Sequence, residues 1–123
     1  LIQNYTRYDF FFLHIKGTDT AGEDGDFDTK VRIIEEFDKA LSGMTALSPN
    51  VIVVTGDHST PALLGGHSWH PLPVLLYSKW CRPDGVNEFS ESACISGGLG
   101  RLSSTEIMPL AMANALKLDK FGA

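Results

Sequence analysis

No apolar run in these 123 residues approaches the roughly 18 that a membrane-crossing helix requires. The longest, Phe10-Phe11-Phe12-Leu13, has the length of a buried strand. Cysteine is scarce. Cys81 and Cys94 stand alone without C-x-x-C spacing, which excludes a thiolate metal knot and a disulfide framework and points to reduced thiols in a cytoplasmic setting. A basic surplus is missing as well: 10 Lys and Arg face 15 Asp and Glu, for a net charge of −5. Without a basic stripe there is no counterpart for nucleic-acid phosphates, and an anionic membrane surface is disfavoured on the same grounds. The opening Leu1-Ile2-Gln3-Asn4-Tyr5 has no initiator Met, no basic start and no signal-peptide pattern, and reads as cut from a longer chain. Repeats and low-complexity linkers are also lacking, and nothing in the sequence indicates an oligomeric state. With 43% apolar residues, the chain is too hydrophobic for disorder and holds about one domain's worth of material.

What is present reads as an α/β layered fold. Asp9–Ile15 is nearly continuously apolar, the pattern of a strand buried on both faces. A polar, glycine-bearing loop follows from Lys16 to Asp26. Phe27–Leu41 then has helical periodicity, with Val31, Ile34, Phe37, Ala40 and Leu41 on one face, Asp26 or Asp28 as N-cap and Gly43 as terminator. Val51–Val54 is β-branched throughout and gives a second strand; Pro73–Tyr77 gives a third. Arg82–Gly100 is irregular. Ser103 and Glu106 match a capping box that opens a last helix reaching about Leu116.

The candidate ligands fall in two loops, each just after an expected strand. Asp19 and Glu23 follow the first, and Asp57, His58 and His67 follow the second. In open parallel α/β sheets such strand-end loops converge, and a set of Asp, Glu and His suits Zn²⁺ or Mn²⁺. Each residue also has an ordinary structural role open to it. Asp19 and Glu23 suit a helix start, Asp57-His58 a turn, and His67 a glycine-flanked loop. Lys16 is a candidate either for pairing with a carboxylate or for meeting a substrate anion. His14 reads as a core histidine within the first strand, and His70, beside Trp69 and Pro71, as structural.

Gly56-Asp57-His58-Ser59-Thr60-Pro61, followed by Gly66-His67-Ser68-Trp69-His70-Pro71-Leu72-Pro73-Val74, resembles the metal-binding end of the alkaline phosphatase superfamily. Lys16-Gly17-Thr18-Asp19-Thr20-Ala21-Gly22, Gly25-Asp26-Phe27-Asp28-Thr29-Lys30, Phe89-Ser90-Glu91, Gly97-Gly98-Leu99-Gly100-Arg101 and the terminal Lys120-Phe121-Gly122-Ala123 narrow the likeness to cofactor-independent phosphoglycerate mutases of the archaeal type. The resemblance runs from about Tyr8 to the end.

It implies an alkaline-phosphatase-like layered sheet flanked by helices, with an incomplete core. It also implies two divalent ions, Mn²⁺, Zn²⁺ or Mg²⁺, one on Asp57 and His58 and the other on Asp19, Glu23 and His67. Where the family pattern has His, this chain has Glu23; a carboxylate still ligates, but adds negative charge and favours harder ions. The resemblance places residues 1–123 as a C-terminal metal-binding segment. The family's nucleophilic serine, the basis of its phosphoserine chemistry, and its inserted substrate domain lie outside this sequence. Neither Ser59 nor Ser68 stands in that nucleophile's context. The implied activity of the intact parent is interconversion of 3- and 2-phosphoglycerate in glycolysis, and the segment alone is expected to be inactive. Another superfamily phosphatase or phosphonate hydrolase, and a degenerate non-catalytic metal-binding domain, are the alternatives.

Overall fold

A computed structural model describes residues 1–119; the Lys120–Ala123 match lies outside the described residues. The chain forms two compact units, Leu1–Ser48 with Thr60–Ser68, and Pro49–Ser59 with the chain from Trp69 onward. Among the described residues no helix is long and apolar enough to cross a membrane.

The first unit is built on two helices, α1 (Gly17–Glu23) and α2 (Phe27–Thr45). The segment expected to be a polar loop is therefore largely helical. Three residues separate the helices, and Asp26 caps α2, its carboxylate accepting from the Thr29 N–H at 2.9 Å. That bond, with the Thr29 hydroxyl, holds the Asp26 carboxyl below the usual carboxylate range. Helix α2 continues past Gly43, and the Ser42 and Thr45 hydroxyls donate to carbonyls three residues back. The contact stripe of α2 also differs from the expected one. Lys30, Ile33, Phe37, Leu41 and Met44 are half-buried, whereas Val31 and Ile34 are exposed. The cause is the seat of α1: a Cβ on Gly17 would stand 3.0 Å from the Ile33 side chain, so the stripe centres on Ile33.

The expected strand over Asp9–Ile15 does not form. The segment joins none of the described strands, and Phe10, Phe12, Leu13 and Ile15 are exposed, Phe12 by 78%. An apolar run becomes a strand only when a neighbour takes its backbone N–H and C=O groups. His14, expected in a core, is exposed here with its ring 6.3 Å from that of Phe12.

The second unit carries β1 (Val51–Val54) and β2 (Leu75–Ser78), paired antiparallel with Val51 opposite Ser78 and Val54 opposite Leu75. The expected parallel neighbour of β1, Asp9–Ile15, forms no strand, and β1 pairs with β2 instead. Helix α4 (Ile107–Asn114) packs against β1, and Asn114 accepts from the buried Ser78 hydroxyl at 2.8 Å. Ser103 and Glu106 form the capping box as expected, although the first turn after it is 3-10 in form. The stretch expected to be irregular contains a one-turn helix, α3 (Glu91–Cys94). It is tied internally by Asp84, which accepts from the Gly98 N–H at 2.6 Å and the Val86 N–H at 3.0 Å and is held below the usual carboxylate range by them. Cys81 and Cys94 are free thiols.

Candidate metal centre

Asp19 and Glu23 lie four residues apart on α1, so one helix face presents both carboxylates. The segment Thr60–Ser68 folds back on that helix within the same unit. Its path requires glycine. A Cβ on Gly22 would overlap the Thr60 carbonyl oxygen, and Gly65 turns with φ +58 against the Glu23 carbonyl. The turn is closed by N–H groups of Leu64 and Gly65 donating to the Pro61 carbonyl. It delivers His67 to the acids: His67 Nε2 stands 3.5 Å from Asp19 Oδ1 and 3.4 Å from Glu23 Oε1.

Two donor atoms bound to one divalent ion at ordinary N and O bond lengths sit about 3.0–3.4 Å apart, so the His67–Asp19 and His67–Glu23 spacings each suit an ion shared by that pair. The three side chains are unequally exposed. That of Asp19 is 11% exposed and those of Glu23 and His67 are roughly half open, a fixed anchor with two adjustable partners. Around Asp19 the polar shell is dense. Lys16 Nζ pairs with Oδ2, and the Thr60 hydroxyl donates to Oδ1 at 2.7 Å. In turn, Lys30 of α2 donates to the Thr60 carbonyl. Of the two roles open to Lys16, the structure shows the carboxylate pairing.

In the second unit, Asp57 and His58 occupy the turn after β1. The His58 N–H donates to Asp57 Oδ1 at 3.1 Å, and His58 Nε2 lies 3.7 Å from Asp57 Oδ2. The Thr55 hydroxyl donates to the Pro73 carbonyl at 3.0 Å, fastening that turn to the approach of β2. His70 stacks on Trp69 at 5.1 Å, in keeping with a structural role.

Thr60 and Lys30 escaped the reading of the sequence as site residues, although both sit in quoted motifs. A buried threonine between a strand-end Asp-His pair and a later histidine is the signal available for Thr60. Nothing in the spacing marks Lys30.

Over its whole length the chain is similar to proteins named "Probable 2,3-bisphosphoglycerate-independent phosphoglycerate mutase". It is 51% identical to that of Deinococcus radiodurans over 123 residues and 50% identical to that of Thermosipho africanus over 119 residues, or 97% of the chain. It spans about 30% of the length of these relatives. The solved PH0037 protein of Pyrococcus horikoshii superposes with a TM-score of 0.92 at 38% identity, over 99% of this chain and 38% of that one. The likeness to cofactor-independent phosphoglycerate mutases drawn from the motifs is thereby borne out, as is the helix-flanked sheet with an incomplete core. With residues 1–114 matching its sequence profile, the chain belongs to the Metalloenzyme superfamily.

Proposed function

We propose that this chain supplies divalent-metal ligands to a phosphoryl-transfer enzyme whose intact form interconverts 3- and 2-phosphoglycerate. The observation that carries this reading is the meeting of His67 with Asp19 and Glu23 at 3.4–3.5 Å. In the proposed assignment Asp19, Glu23 and His67 hold one ion and Asp57 with His58 the other. Mn²⁺, Zn²⁺ or Mg²⁺ would then polarise phosphate oxygens and lower the pKa of a bound hydroxyl. Such cations also offset the carboxylates of this acidic chain, net charge −5, where a phosphorylated acid is to bind. The relatives' printed name supplies the substrate class, and the free thiols of Cys81 and Cys94 support a reducing, cytoplasmic setting.

A specific observation bears on the degenerate-domain alternative. Glu23, the departure from the family pattern, aims its carboxylate at His67 and so remains usable as a ligand. The test is an enolase-coupled assay of the full-length protein on 3-phosphoglycerate, metal-stripped and then restored with Mn²⁺. The expected result is 2-phosphoglycerate formation that depends on the metal. Release of inorganic phosphate without 2-phosphoglycerate identifies a phosphatase instead. No turnover of either kind with Mn²⁺, Zn²⁺ or Mg²⁺ refutes the enzymatic reading.

A further inference from the structure

Thr60 is 4% exposed, and its position is over-determined for a loop residue. Its hydroxyl donates to Asp19 Oδ1, the oxygen that also faces His67 Nε2. Its carbonyl receives the ammonium of Lys30 from the first turn of α2, and the missing side chain of Gly22 is what lets that carbonyl approach α1. Asp19 Oδ2 is engaged by Lys16. Both carboxylate oxygens therefore have a donor, and the plane of the carboxylate is set from two sides.

We propose that Thr60, held in place by Lys30, is the positioning residue for the Asp19 metal ligand. A carboxylate that must rotate before binding loses affinity through reorganisation; one fixed by a neighbouring donor does not. The hydroxyl carries a single hydrogen, and directing it to Oδ1 fixes the lone pair that remains toward His67. Lys30 acts one step further out, by fixing the backbone from which the hydroxyl projects. This inference rests on the metal reading above and extends it to residues that are not ligands.

The test is Mn²⁺ titration calorimetry on the full-length protein and its Thr60→Val, Thr60→Ser and Lys30→Met variants, with metal-free melting temperatures recorded alongside. Valine keeps the size and loses the donor. The expected outcome is a 10–100-fold weaker Mn²⁺ affinity for Thr60→Val, return to within about threefold for Thr60→Ser, and an intermediate loss for Lys30→Met. A purely structural role would lower the metal-free melting temperature of Thr60→Val and Thr60→Ser alike without separating their affinities. Equal Mn²⁺ affinity in wild type and Thr60→Val overturns the proposal while leaving the metal centre standing. Absence of Mn²⁺ binding in the wild type overturns both.

Discussion

Glu23 is where the chemistry of a single side chain decides most. Its carboxylate lies 3.4 Å from His67, and Asp19 already contributes one negative charge on the same helix face. Two carboxylates and one imidazole make a harder donor set than one carboxylate and two imidazoles, and favour Mn²⁺ and Mg²⁺ relative to Zn²⁺. Glu23→His is expected to shift the preference toward Zn²⁺ by roughly tenfold or more, measured as the ratio of Zn²⁺ to Mn²⁺ dissociation constants. An unchanged ratio would mean that residue 23 is not a ligand. The same two acids show how far the residue scale was legible. Their identities as candidate ligands followed from residue type and place in the chain. Their relation to each other did not, because the stretch that holds them was expected to be a loop; only as a helix does a spacing of four put Asp19 and Glu23 on one face.

Among the elements, those announced by local chemistry came out of the sequence directly. Asp26 caps α2, and Ser103 with Glu106 forms a capping box, because a short oxygen-bearing side chain three residues before an N–H is a self-contained signal. Val51–Val54 forms its strand to the residue. The elements that failed depend on partners. Asp9–Ile15 has strand-like residues and no strand paired beside it, and the face of α2 was misread because Gly17 of α1 draws Ile33 inward. The Asp26 cap is open to a pH test. Its folded pKa is lowered by the Thr29 N–H, so its stabilising contribution is whole above the ordinary carboxylate pKa, near 4, and is lost as pH falls through the folded value. Asp26→Ala is therefore expected to lower the melting temperature at pH 7, with the difference from wild type closing as pH falls below the ordinary carboxylate range. Thermal melts followed by circular dichroism check this. A difference that persists unchanged at low pH would contradict the ionised cap.

At the scale of the whole molecule, the sparse burial of apolar side chains stands out. Ala21 is the only buried apolar side chain among the described residues, while Phe10, Phe12, Trp69 and Leu63 are well exposed. Burial of apolar surface is the main driving force of folding. Polar side chains are buried as well: Asp19 and its neighbour Thr60, with Ser59 and Ser78. The central proposal is that Asp19, Glu23 and His67 hold one divalent ion and Asp57 with His58 another, and equilibrium dialysis of the full-length protein against Mn²⁺ tests it most directly. The wild type should bind two ions, His67→Ala should lose the one assigned to Asp19 and Glu23, and Asp57→Ala should lose the other. Retention of both ions by either variant would contradict the assignment, and a wild type that binds none would end it.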